Sequence, residues 1–303
     1  MKKIAFIIHG RLKTQGRLQQ EALSSFQPDY QVSFLLTERS GHATELTMRA
    51  VEQGYTYIIC CGGDGSLNEC ANGLMQCGDK AADVQLGVLP YGTGNDFIKT
   101  IQSPKTMAAL KQAIDKGGKK LIDLGHAWYT GTDGQPVNRY FINITDIGMG
   151  GVVAEKLSRS SKMFGSTVTY QYSIISTFFT YQKQPIKVQA DSFKYEGRVM
   201  NFVIANGIWF GSGLGVSPDS DVCDGLLNVI ALGDVGTADY FKNLSKVKKA
   251  EKVMHPEVKY MTAREVNVES SLGPISIDMD GEFVGYSPLK VKAVHKALWF
   301  ITG

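Results

Sequence analysis

Two stretches decide how this chain is read. One is Tyr57-Ile58-Ile59-Cys60-Cys61-Gly62-Gly63-Asp64-Gly65-Ser66, and the other is Leu86-Gly87-Val88-Leu89-Pro90-Tyr91-Gly92-Thr93-Gly94-Asn95-Asp96. In each, a short apolar run ends in a glycine-rich turn that opens a helix-like pattern. Such a junction offers backbone N–H groups and a helix N-terminus to an anion, so a phosphate is its natural guest. Neither turn has the spacing of a Walker loop or of a dinucleotide fingerprint.

Working outward, the first third of the chain alternates. Ile4–Ile8, Gln31–Leu36, Tyr55–Cys61 and Gln85–Leu89 read as strands. Thr44–Val51, Asn68–Met75 and Thr106–Ala113 read as helices, and the polar stretch before Phe26 carries no assignment. Alternation of this kind predicts right-handed βαβ units on a parallel sheet, with ligands at the carboxyl ends of the strands, where both turns lie. After Gly117-Gly118-Lys119-Lys120 the texture changes to short strands: Leu121–Tyr129, Arg139–Ile144, Ile186–Ala190, Val199–Ala205, Leu226–Ala231, Val258–Tyr260, Glu265–Val268, Ile275–Met279 and Leu289–Ala293. Many short strands with turns such as Asp133-Gly134 and Asp280-Gly281 predict a sandwich or barrel. Helical inserts are expected at Val152–Tyr181 and Gly236–Met254. The expected division is an α/β domain over 1–123, completed by the tail 294–303, and a mainly β domain over 124–293.

Composition bounds the function classes. The 303 residues are 43% hydrophobic and 20% charged, which is a globular balance and not a disordered one. A net charge of +3 is too small to argue for nucleic acid. Five cysteines without zinc-site spacing read as reduced thiols of a cytosolic protein. The N-terminal Met1–Gly10 is too short in apolar residues for a signal peptide and reads as a buried strand. No run reaches the ~18 apolar residues of a membrane span.

Several residue types suit phosphoryl transfer. Asp64 and Asp96 are hard oxygen donors for Mg²⁺ or its waters, and Thr93 supplies a hydroxyl between two glycines. Asp280-Gly281-Glu282 is by itself a hairpin turn signal. Asp123 is either a solvent-facing strand-end acid or a member of a water-linked network with Asp64 and Asp96.

The motifs resemble those of the diacylglycerol kinase catalytic family, which includes bacterial soluble lipid kinases and sphingosine kinases. The resemblance rests on Gly62-Gly63-Asp64-Gly65-Ser66 with Asn68-Glu69 and Asn72-Gly73-Leu74, and on Leu89-Pro90-Tyr91-Gly92-Thr93-Gly94-Asn95-Asp96-Phe97. It continues through Tyr140-Phe141-Ile142-Asn143, Ile147-Gly148, Asn206-Gly207 to Gly211-Ser212-Gly213, Ser217-Pro218, Asp224-Gly225-Leu226-Leu227 and Asp278-Met279-Asp280-Gly281-Glu282. The order is the family's own, over nearly the whole chain.

The resemblance implies an N-terminal domain similar to NAD kinase and phosphofructokinase, a C-terminal β-sandwich, and ATP- and Mg²⁺-dependent phosphorylation of a lipid hydroxyl, diacylglycerol first. It implies nucleotide contacts at Thr37, Gly63, Asp64, Gly65, Ser66, Leu67, Asn68, Glu69 and Thr93. It implies a structural Mg²⁺ held by Asp221, Asp224 and the Leu226 carbonyl. For the base that takes the acceptor's proton it favours Asp280, with Glu282 the alternative. Three departures stand out. The family's opening Asn-Pro is replaced by Ile8-His9-Gly10-Arg11, Ser66 stands for a threonine, and Asp146 occupies a position where a small residue is usual.

A lipid kinase without a span works at a bilayer surface, so the expected location is cytoplasmic and peripheral at the inner face of the membrane. Phe241–Met254, with five lysines and the apolar series Phe241, Leu244, Val247 and Met254, is a candidate for an anionic surface. The stripe Tyr170, Ile174, Phe178 and Tyr181 is a candidate wall of a lipid cleft. A sheet-edge homodimer is compatible with these patterns. Two other readings stay open: a soluble-metabolite kinase of the NAD kinase or phosphofructokinase type, and a catalytically weak nucleotide-binding regulator.

Overall fold

The computed structural model of the chain describes residues 1–159, 177 and 180–303, the Thr237 side chain apart. The expected helix and aromatic stripe within 160–181 therefore lie largely outside the described residues. The chain divides into two units, Met1–Leu124 with Val222–Asp224 and His295–Gly303, and Gly125–Asp221 with Gly225–Val294.

The first unit is α/β. Its strands β1 (Lys2–Ile8), β2 (Tyr30–Leu36), β3 (Tyr57–Gly62) and β4 (Gln85–Pro90) are parallel, in the order β2-β1-β3-β4, and Trp299 and Phe300 add a further parallel edge against β4. The runs Ile4–Ile8 and Tyr57–Cys61 are buried throughout, as strands covered on both faces must be. The covering helices are α1 (Gln15–Phe26), α2 (His42–Glu52), α3 (Asp64–Cys77), α4 (Phe97–Ile101) and α5 (Met107–Asp115). Helix α1 occupies the polar stretch that had no assignment. Its signal is Leu18, Ala22 and Phe26, spaced by four and buried on one stripe.

Strand β5 (Lys119–Gly131) leads into the second unit. There follow β6 (Pro136–Phe141), β7 (Ile144–Gly148), α6 (Met149–Arg159), β8 (Gln184–Ala190), β9 (Lys194–Val199), β10 (Asn201–Ala205), and the small ribbon β11 (Trp209–Phe210) with β12 (Leu214–Gly215). Then come β13 (Leu227–Leu232), α7 (Thr237–Val247), β14 (Val258–Ala263), β15 (Glu265–Ser270), β16 (Ser276–Met279) and the long β17 (Glu282–Ile301). The pairing runs β14-β13-β10-β7-β16-β17 and β9-β8-β15-β17-β5-β6, so β17 serves both sheets. Alternate residues from both sheets, among them Phe141, Ile186, Val188, Phe202, Val229, Val266 and Ile277, fill one core.

Some expected elements change. Arg139–Ile144 is split, because Ile142 and Asn143 leave β6 to wrap the Asp280 carboxylate before β7 begins. The helix expected to reach Met254 ends at Val247, so Lys248, Lys249 and Lys252 follow it.

Candidate active site

In the first unit β1 lies between β2 and β3, so the strand order turns at β1 and opens the sheet's carboxyl edge there. Both glycine turns sit at that edge and meet backbone to backbone. A Cβ on Gly92 would stand 2.3 Å from the Gly63 Cα, and one on Gly63 would stand 3.0 Å from the Gly92 Cα. Only glycine permits that approach. The Tyr91 N–H donates to the Gly62 carbonyl at 2.9 Å, and Asn95, at φ +48°, closes the second turn by donating to the Gly92 carbonyl at 2.6 Å.

Asp64 fastens this contact. Its two oxygens accept from the N–H groups of Asp96 at 3.1 Å and Phe97 at 3.2 Å, which caps α4 from the other turn. Burial pushes its carboxyl up, and the two N–H groups work against that shift. The Asp96 carboxylate is engaged by Lys99 Nζ at 2.5 Å. Both carboxylates thus take part in the frame of the turns. What the frame leaves available is backbone. Gly63 begins α3 in an extended conformation and no side chain caps the helix. The first-turn N–H groups of such a helix have no intrahelical partner and suit an anion.

The other expected nucleotide residues divide in the same way. Thr93 is exposed on the second turn. Leu67 is in the core, and Asn68 is fully buried. The Glu69 carboxylate accepts from Gly41 N–H at 2.8 Å and Ala43 N–H at 2.9 Å, so it caps α2. Thr37 Oγ1 accepts from Gly10 N–H at 3.1 Å, so His9-Gly10 is tied to the strand end where Thr37 lies. A Cβ at position 10 would fall 1.9 Å from the Thr37 carbonyl oxygen, so the altered first motif keeps its glycine for a steric reason. Asp123 is fully buried and accepts from His295 Nδ1 at 2.9 Å and Lys296 N–H at 2.7 Å, which excludes a solvent-facing acid.

The second unit carries the acidic turn. Asp280, at φ +50°, heads the hairpin between β16 and β17. Its carboxylate accepts from three consecutive backbone N–H groups, Ile142 at 2.9 Å, Asn143 at 3.0 Å and Ile144 at 2.9 Å. Burial pushes its carboxyl up to about 6, against the pull of those three N–H groups and of Arg139. Glu282 is the more open acid, 36% exposed at its side chain, and is held by Arg139 Nη2 at 2.8 Å. Burial works against the Arg139 charge, but Glu282 and Asp280 outweigh it and raise the guanidinium further. Arg139 escaped the sequence reading. Its alternation along β6 marked only a side of the strand, and its partner lies 143 residues away.

The loop Asp221–Leu226 exposes Asp221 and Asp224 and turns at Gly225, φ +78°. Among the described residues no group of three or more His, Cys, Asp or Glu side chains converges as a metal cage.

Residues 3–127 match the family model of the diacylglycerol kinase catalytic domain, and residues 144–302 match that of the YegS C-terminal NAD kinase beta sandwich-like domain. The chain belongs to the diacylglycerol kinase catalytic family. It is 26% identical over 292 residues to the diacylglycerol kinase of Staphylococcus aureus (strain bovine RF122 / ET3-1), covering 95% of this chain and 89% of the relative. With the diacylglycerol kinase of Staphylococcus carnosus (strain TM300) it shares 25% identity over 95% of this chain and 91% of the relative. A crystal structure of a diacylglycerol kinase from Bacillus anthracis str. Sterne superposes with a TM-score of 0.71 at 21% identity, covering 100% of this chain and 97% of that one, which speaks to the fold. As a member of this family the chain is a kinase, a phosphotransferase with an alcohol group as acceptor.

Proposed function

We propose that this kinase moves the γ-phosphate of ATP to the hydroxyl of a lipid alcohol, diacylglycerol first. The observation that carries the donor half is the pair of glycine turns clamped by Asp64 above the uncapped N-terminus of α3. Phosphoryl transfer asks chiefly for positioning and for neutralisation of charge, and the first-turn N–H groups of α3 with the Thr93 hydroxyl suit both. Similarity to the diacylglycerol kinases of Staphylococcus supports the acceptor.

For the proton acceptor we assign Glu282. It is the more open carboxylate of the turn, and Arg139 fixes its orientation. Asp280, favoured from sequence, is occupied in holding Ile142, Asn143 and Ile144, so its task is to shape the turn. Asp221, Asp224 and the Leu226 carbonyl suit Mg²⁺, which keeps several waters and needs only one or two carboxylates. A bound Mg²⁺ would there order the loop and offset negative charge.

The acceptor's membrane partnership belongs to this reading. Among the described residues no helix is long and apolar enough to cross a membrane. Around α7, Phe241 and Met254 are exposed large apolar side chains beside Lys242, Lys246, Lys248 and Lys249. Apolar anchors among lysines suit the surface of an anionic bilayer. Flotation should recover the protein with phosphatidylglycerol vesicles at low salt and not with phosphatidylcholine. Equal recovery from both would remove this surface.

The deciding assay gives labelled ATP and Mg²⁺ with a panel of diacylglycerol, phosphatidylglycerol, a sphingoid base, NAD and fructose 6-phosphate. Label on a lipid supports the proposal. Label on a soluble acceptor alone, or none on any, would overturn it.

A further inference from the structure

Asp146 stands in register with Asp278 across the antiparallel pair β7 and β16. Directly opposed residues project from the same face with Cβ atoms about 5 Å apart. Asp146 is fully buried and Asp278 almost so. Neither Asp146 oxygen has a hydrogen-bond partner, and Asp278 Oδ1 also lacks one. The Tyr181 hydroxyl is buried without a partner as well, and the Asp146 charge acts on it. The Asn201 side chain and the Gly151 N–H face Asp146, but neither closes a hydrogen bond to it.

The start of α6 is built around this carboxyl. A Cβ on Gly150 would lie 2.4 Å from each Asp146 oxygen, and one on Gly151 would lie 1.9 Å from the Ser276 carbonyl oxygen. Among the described residues no cation answers the two acids. On α6, Glu155 accepts from Ser276 Oγ and from Tyr286 Oη and is paired with Arg159, while Lys156 donates to Thr177. Asn201 of β10 is uncharged, and its Oδ1 accepts from Gly150 N–H at 3.2 Å. From the turn come two further acids, Asp280 and Glu282, and one group that favours the Asp278 charge, the Gly281 N–H. Among the described residues neither Asp146 nor Asp278 has an ion pair.

Two bare carboxylates cannot share a dry site at this separation, because desolvation and mutual repulsion both oppose the second charge. We propose that Asp146 and Asp278 share one proton at neutral pH and act as a positioning pair that holds β7 to β16 where these strands lead into the Asp280–Glu282 turn. The shifts agree with this. Burial pushes the Asp146 carboxyl up to about 7, and burial, Asp146 and Asp280 together drive Asp278 well above the usual carboxylate range. The pair titrates as a unit.

The sign of the pH effect follows. In the unfolded chain both acids lose their protons near pH ~3.9. The native pair keeps one of those two protons to neutral pH or beyond, so the folded state binds more protons and stability falls as pH rises. Loss of the last proton sets β7 and β16 against each other, next to the Ile142–Ile144 amides that hold Asp280.

The test compares wild type with Asp146→Asn. The amide keeps the volume and donates a hydrogen bond to Asp278 in place of the shared proton. Unfolding midpoints are measured from about pH 5 to 9, where the linkage acts. The wild-type midpoint should fall with pH, and that of Asp146→Asn should fall less than half as far. The alkaline limb of kcat/KM should move to higher pH in the variant. In wild type, ¹³C-aspartate NMR should show one carboxyl still protonated at about pH 7.5, as a coupled pair requires. Parallel midpoint slopes, or complete ionisation of every aspartate by that pH, would overturn the proposal. The NMR titration decides on wild type alone if the variant does not fold. Only the activity limb rests on the Asp280–Glu282 turn being the acceptor's half-site. The midpoints and the NMR need no substrate, so failure of lipid transfer leaves them independent.

Discussion

Asp64-Gly65 in the first unit and Asp280-Gly281 in the second are the same dipeptide put to one mechanical use with opposite results. Each aspartate spends its carboxylate on backbone N–H groups from a distant segment, two for Asp64 and three for Asp280. What differs is what the clamp leaves exposed. Around Asp64 it is main chain, the N–H groups at the start of α3, which suit an incoming anion. Around Asp280 it is a side chain, Glu282, which suits a proton. The comparison teaches that the acid at the centre of a motif can be its frame, with the chemistry carried by a neighbour.

The largest expected effect breaks the second half of that comparison. Glu282→Gln should lower kcat by roughly 10²–10⁴-fold with an unchanged unfolding midpoint, the range for loss of a general base. Asp280→Ala should instead cost about 3 kcal/mol of stability, because three buried N–H groups lose their acceptor. If Glu282→Gln is active and Asp280→Asn is dead but fully stable, the roles revert. Next, Gly92→Ala should destabilise by about 1–3 kcal/mol through overpacking against Gly63 and should weaken ATP binding, read by calorimetry. Asp64→Asn keeps one acceptor and should cost about 1–2 kcal/mol in chemical denaturation. The smallest effect sharpens the first half. Thr93→Val should raise the KM for ATP a few-fold, about 1 kcal/mol, with stability untouched because the residue is exposed.

The parallel sheet was legible because β1, β3 and β4 are buried on both faces and so read as unbroken apolar runs. Helix α1 was not, since only Leu18, Ala22 and Phe26 mark it among polar neighbours. Strand β17 was seen only in its middle, over Leu289–Ala293, although it extends over Glu282–Ile301. Of the candidate site, the glycine turns were visible as turns. The occupations of Asp64, Glu69 and Asp280 were not, since their partners lie from 26 to 138 residues away. Asp146 was visible only as an oddity until β16 placed Asp278 opposite it.

By itself the sequence determined the order of elements, the change of texture after Gly118 and the stretches where chemistry would gather. Burial period and turn residues are local properties, and each is written within a few residues. The tertiary structure decided which acid is a clamp, which is open, and which pair must keep a proton. Those outcomes depend on distance, on competing N–H donors and on loss of water, and these exist only once remote segments have been brought together.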